Sequence, residues 1–187
     1  MLKFIFLVFG LLLLCTSNAQ VSFVYTNDPE HMQCLAVDYF SNGDALLVIK
    51  SRSDTMLVYP TSEEIINPNP SFTSIVFLRM NQAQEVVWAQ FGEAYFNPVQ
   101  HWSDFLHEGC TLEISENDEI YFGIGHGNSY QFGEFIQANS YIENYSLIKL
   151  SSEGQFEWVK DNTLSFPGEH YIADIQIIDG RIFDKDS

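Results

Sequence analysis

The sequence predicts an all-β protein built from short antiparallel sheets. Apolar and polar residues alternate with period two through most of the chain after residue 20, as in strands with one buried face. Phe, Tyr and Trp make up 15% of the residues, which suits pleated, half-buried surfaces. One hairpin pattern also recurs. The strands 75–80 and 85–90 are copied by 145–150 and 155–160, so Trp88/Trp158, Arg79/Lys149 and Met80/Leu150 all lie 70 positions apart. No segment shows a helical period with caps.

Residues 1–19 read as a signal peptide. Lys3 is the basic start, Phe4 to Leu14 the apolar stretch, and Ser17 and Ala19 the small residues before cleavage at Gln20. The apolar stretch is shorter than the roughly 20 residues a membrane span needs. A lipid anchor on Cys15 is the second reading, because Leu14 stands where a small residue is expected. The expected location is therefore secreted or cell-surface, with no membrane insertion after cleavage.

The mature domain, residues 20–187, divides into strands and turns. Gln20 to Tyr25 matches the Trp-bearing strand, with Phe23 in the Trp place. Leu35 to Tyr39 and Ala45 to Ile49 flank Ser41-Asn42-Gly43-Asp44, and Asn-Gly between apolar runs is a strong hairpin signal. Met56 to Tyr59 is a short strand. Pro60 to Phe72 holds three prolines and reads as a loop. Ile75 to Met80 and Glu85 to Phe91 form the next hairpin, and Gly92 to Gly109 a long aromatic loop. Cys110 to Ile114 and Glu119 to Ile124 flank Ser115-Glu116-Asn117-Asp118, aligning Ser41 with Ser115 and Asp44 with Asp118 at an offset of 74. Gly123 to Gly133 reads as a tight loop. Tyr145 to Leu150 and Gln155 to Lys160 enclose Ser151-Ser152-Glu153-Gly154, and Tyr171 to Ile177 with Arg181 to Phe183 opens a further pair. Trp88 and Trp158 are expected to be buried at matching places in adjacent sheets.

Four-stranded units of this kind bury their faces by stacking on one another, and a radial stack of such sheets is a β-propeller. The chain supplies two full units and a partial one, about two and a half blades, whereas closed propellers use at least four. The expected fold is an incomplete β-propeller of stacked, antiparallel four-stranded sheets, with the remaining blades or other copies needed to close it.

Phe77-Leu78-Arg79-Met80, then Glu85 to Gly92 with Trp88, then Asp104 and Leu112 to Gly123, resemble the repeat of secreted bacterial β-propeller proteins. Leu147 to Lys160 resembles its first half and Val37 to Val48 its second. The chain departs from that pattern at Gln82-Ala83-Gln84, which lacks the turn glycine, at Gly92-Glu93, and in the long loop before Asp104. The resemblance implies an exported propeller and names no ligand.

The formal net charge is −17, from 8 basic and 25 acidic residues. That leaves no basic patch for phosphates, so nucleic acid is not an expected partner; the charge reads as solubility outside the cell, with a cation-binding surface as the sharper alternative. Cys34 and Cys110 each precede a strand pair and are expected to be buried free thiols. His101, Asp104, His107, Glu108 and Cys110 are the densest set of zinc-type ligands, against a plain solvated loop. Asn42-Gly43-Asp44 and Asn117-Asp118-Glu119 offer oxygens to calcium but lack the spacing of a dedicated loop, and hairpin turns favour the same residues. Gly123-Ile124-Gly125-His126-Gly127-Asn128 has no following helix or lysine to make a phosphate cradle. No catalytic motif and no cofactor residue is assigned. The expected role is non-catalytic binding of a protein or glycan, with aromatic loops such as Tyr95-Phe96 and His101-Trp102 suited to stacking on sugars. The alternative is a hydrolase or lyase on a propeller scaffold acting on extracellular glycan.

Overall fold

The computed structural model describes residues 23–25, 32–59, 61, 63–68, 73–95, 110–126, 129–137, 144–162, 175–178 and 181–184. Every regular element among them is a strand, and every pairing is antiparallel. In chain order the strands are β1 (Phe23–Tyr25), β2 (Met32–Tyr39), β3 (Ala45–Ser51), β4 (Thr55–Tyr59), β5 (Glu63–Ile66), β6 (Thr73–Met80), β7 (Val86–Tyr95) and β8 (Cys110–Ile114). They continue as β9 (Ile120–His126), β10 (Ser129–Phe132), β11 (Phe135–Gln137), β12 (Asn144–Leu150), β13 (Phe156–Asn162), β14 (Ile175–Ile178) and β15 (Arg181–Asp184). The signal-peptide residues and the cluster from His101 to Glu108 lie outside the described residues.

Four hairpins share one turn chemistry. In the turns Phe40–Asp44, Asn81–Glu85, Ser115–Glu119 and Ser151–Gln155, the fourth residue's N–H bonds to the first residue's carbonyl at 2.9 Å. The first residue's N–H returns to the fifth residue's carbonyl at 2.9 to 3.0 Å. The fourth residue always has positive φ: Gly43 (84°), Gln84 (67°), Asp118 (61°) and Gly154 (79°). A turn followed by one left-handed residue matches the right-handed twist of the strands it joins. Gln84 therefore holds the left-handed position without a glycine. The structural alignment sets Gly43 on Asp118 and Asp44 on Glu119, an offset of 75 instead of the expected 74. The left-handed backbone, not the identity of the acid, fixes the register.

The first sheet has the order β11-β10-β7-β6-β3-β2 and the second the order β13-β12-β9-β8. Strands β2, β3, β6 and β7 correspond one for one to β8, β9, β12 and β13. Arg79 stands opposite Trp88 and Lys149 opposite Trp158, and both pairs precede a register shift, at Arg79/Met80 and Lys149/Leu150. Each unit carries an inserted hairpin between its second and third strands. β4–β5 pairs onto β1, giving a three-stranded sheet β1-β4-β5, and β10–β11 pairs onto the far end of β7. The first sheet is thereby six-stranded rather than four-stranded. β14–β15 forms a two-stranded pair, with β14 against β8 as β8 lies against β2. Among the described residues the sheets do not close into a ring.

The inserted hairpins correct three expectations. The stretch from Pro60 to Phe72 includes β5, the stretch after Gly92 continues β7 to Tyr95, and the segment from Gly123 contains the rest of β9 together with β10. Gly123 and Gly125 are thus strand residues, and Gly125 pairs with Tyr145.

Residues on β6 turn alternately to two cores, which is why Ile75-Val76-Phe77-Leu78 reads as an unbroken apolar run. Ile75 and Phe77, with Leu46 and Val48 of β3, pack on Ile120, Phe122, Ile124, Ile148 and Leu150 of the second sheet and on Tyr130 and Phe132 of β10. Phe77 meets Phe122 and Phe156 edge to face at 5.3 and 5.8 Å. Val76, Leu78 and Met80, with Ile49, pack instead on Met56, Val58 and Ile65 of β4–β5. Trp88 and Trp158 occupy matching positions but are half-buried: β10 pairs with β7 only from Gly92 to Tyr95, beyond Trp88, and β13 is the edge strand of its sheet.

Candidate functional site

The densest polar chemistry among the described residues lies where the four turns meet. The β-meanders bring all four to one end of the two packed sheets. Asp44 accepts from Arg79 Nε and Nη2 at 2.9 and 2.8 Å, and the two side chains are only 10% and 14% exposed. The Arg79 guanidinium also lies 3.9 Å from the centre of the Phe40 ring. Its Nη1 donates to the Ser152 carbonyl of the second sheet at 2.9 Å, and Trp88 Nε1 donates to the same oxygen at 3.1 Å. Gly154 sits under the Trp88 ring, where an added Cβ would come within 2.9 Å of it. A planar fork suits this place, since it can hold a carboxylate and a neighbouring carbonyl at once.

A second link joins the turns from the other side. The Ser41 N–H and hydroxyl donate to Asp118 Oδ1 and Oδ2 at 2.7 and 2.8 Å, and these bonds, the main-chain one foremost, hold the Asp118 carboxyl below its usual range. Asp38 Oδ2 accepts from the Ile114 N–H at 2.8 Å, tying β2 to the end of β8. In the second sheet Lys149 Nζ contacts Glu119 at 2.6 Å and Glu157 at 2.9 Å. The Glu119 bond, the larger cause, pushes Lys149 well up, and the same bond pulls Glu119 down. The Tyr121 hydroxyl donates to the other Glu119 oxygen at 3.0 Å; burial first, and then this carboxylate, raise its phenol.

These partners decide what the calcium candidates can do. Asp44 is taken by Arg79 and Asn42, Asp118 by Ser41, and Glu119 by Lys149 and Tyr121. Their oxygens serve turns and ion pairs. Among the described residues no group of three or more His, Cys, Asp or Glu side chains is arranged to hold a metal. Of the proposed zinc set only Cys110 is described. It is half-buried, and Cys34 is exposed, so the expected burial of both thiols is corrected. Cys34 lies on β2, the edge strand of the first sheet.

The Asp44–Arg79–Ser152 link is the feature that motif reading missed. Its signal was present. Arg79 recurs as Lys149 at an offset of 70, and an acid, Asp44 then Glu119, recurs one strand away at an offset of 75. Compared with protein-family models, with curated proteins and with solved structures, the chain matches none.

Proposed function

We propose that this chain is an exported, propeller-type repeat protein that binds a protein or glycan at a cell surface or in the surrounding medium, without catalysis. One observation carries the reading: two corresponding sheets pack in the same sense, so that the face carrying Arg79 and Trp88 meets the next sheet while Lys149 and Trp158, their counterparts, stand on that sheet's opposite face. Same-sense stacking of four-stranded meanders is the packing from which propellers are made. The succession of β2, β8 and β14 supports it further. The leader pattern of Lys3, Phe4 to Leu14 and Ala19 supports export. The carboxylates of the turn junction are committed to partners, which favours a scaffold over an acid–base centre. On β2, Tyr39 and Val37 are 64% and 49% exposed, two residues apart, and offer aromatic and apolar surface to a sugar ring or a protein.

The test is a glycan array and a surface-protein capture with the secreted chain, run beside a screen of glycan hydrolysis. Saturable binding that weakens in Tyr39→Ala, with no product formed, is the expected result. Turnover of a glycan would replace this reading with a hydrolase or lyase. Failure to bind in either format overturns the binding role.

A further inference from the structure

We propose that the bare face of the first sheet, together with the open edge of β1, is the docking site for the β14–β15 unit of a second copy of this chain. The proposal rests on the reading of the sheets as propeller-type units, and deepens it by naming the partner of the surface around Tyr39. Val37 stands opposite Leu47 and Tyr39 opposite Ala45, and these stand opposite Leu78 and Met80 of β6. Val37 and Tyr39 therefore share the face that β4–β5 covers farther along. Their stations in the second sheet are Leu112 and Ile114, opposite Phe122 and Ile120. There the same face is core. Ile120 and Phe122 are 0% exposed beneath the first sheet, and Leu112 and Ile114 pack against that core. In the first sheet Tyr39 is 64% and Val37 49% exposed, and Ala45 and Leu47 are only half-buried. The face is buried in the sheet that has another packed in front of it and bare in the sheet that has none.

Strand pairing points to the same gap independently. The hairpin β10–β11, inserted in the second unit, pairs onto β7, the outer strand of the unit before it. The hairpin β4–β5 is the same insertion in the first unit, and it pairs onto β1. β1 therefore holds the place of an outer strand in a unit ahead of the first sheet. β7 carries β6 on its other side, whereas β1 carries no strand there among the described residues. Such an edge is a template for another strand. β14–β15 is the converse part. It is a leading pair, placed against β8 as β8 is placed against β2, and among the described residues no third strand continues it. One chain thus carries the leading pair of a unit beyond its second sheet and an outer strand ahead of its first. Both sheets stand between these parts, so each gap is filled from another copy. The β14–β15 unit of one copy packs on Val37 and Tyr39 of the next, and that copy's β1 supplies the outer strand.

The test is sedimentation of the secreted chain over a range of concentrations, with no ligand added. Reversible assembly into species of two or more copies is the expected result. Val37→Asp or Tyr39→Glu puts a charge on the bare face and should return the chain to monomer, with the urea midpoint unchanged because both side chains are exposed. Ile182→Pro breaks β15 and should do the same. Tyr39→Glu keeps β14–β15 intact and Ile182→Pro keeps the receiving face, so mixing these two variants should give a complex of one copy of each. A parent that stays monomeric at every concentration overturns the proposal. Assembly that Tyr39→Glu leaves unchanged overturns it too, as does a mixture that forms no complex. The glycan array separates this outcome from that of the binding role. A monomer that captures a glycan through Tyr39 keeps the binding role and loses this contact, whereas assembly without capture does the reverse.

Discussion

The two sheets use one plan with different cations, and the contrast shows how a sheet is fixed to its neighbour. In the first, the cation is Arg79, 14% exposed, bonded to Asp44 and to a carbonyl of the second sheet. In the second, the cation is Lys149, shared between two carboxylates that are 37% and 40% exposed. The arginine reaches across an interface; the lysine is satisfied within its own sheet. The same position thus serves as a cross-sheet fastener where a neighbour's turn is at hand and as a local charge pair where the described residues supply no such turn.

The largest test of that contrast replaces each cation by methionine. Arg79→Met strands Asp44 and the Ser152 carbonyl in a nearly dry place and is expected to cost about 3 kcal/mol, in line with breaking a buried pair. Lys149→Met removes a pair with half-open carboxylates and is expected to cost about 1 kcal/mol or less. Urea unfolding of the two variants measures the gap, and equal losses would erase the distinction.

Glycines of the turns sharpen it at the next level. Gly154→Ala forces both a left-handed alanine and a Cβ against the Trp88 ring, for an expected cost of about 2 kcal/mol. Gly43→Ala meets only the flexible end of Gln82 and is expected to cost about half as much. Gln84→Gly runs the other way. It relieves the left-handed glutamine at the expense of a looser unfolded chain, for an expected gain of about 0.5 kcal/mol. Urea midpoints order all three.

The smallest effect is in acid. Asp118 and Glu119 have folded carboxyl values below their unfolded ones. Their contribution is therefore complete above the unfolded range, near pH 4, and is lost as the pH falls through the lower folded values. Gly43 gives the first sheet no counterpart to Asp118. Asp118→Asn should flatten the fall in urea midpoint between about pH 5 and pH 2. A slope as steep as the parent's would assign the acid sensitivity elsewhere.

The fold was legible where two alternating apolar strands flank a recognisable turn. Cys110–Ile114 and Tyr145 to Leu150 could be read because a turn and a return strand follow at once. β5 and β11 were hidden because their sequences are short. Glu63-Glu64-Ile65-Ile66 is flanked by Pro60, Pro68 and Pro70, and only the contact with Met56 and Val58 of β4 makes it a strand. β10 is ordered onto β7 from over thirty residues away, an association that no local pattern carries. The one-residue error in aligning the first and third turns has a similar origin. Side-chain identity pointed to Asp44 and Asp118, while the backbone equates Asp118 with Gly43. The junction was half legible: the recurring Arg79/Lys149 could be seen, but Ser152 acts through its carbonyl, which every residue carries.

The unlike faces of each sheet have a consequence for assembly. One face offers the cation and the tryptophan; the other is chiefly apolar, as with Ile120, Phe122, Ile148 and Leu150 of the second sheet. Such an interface is a heterologous contact, with a donor side and a receiver side. Copies joined through it would add in one direction only, closing as a ring or running on as a filament, and a two-fold dimer would set like against like. The order of the chain is thereby written into the geometry as a direction of growth.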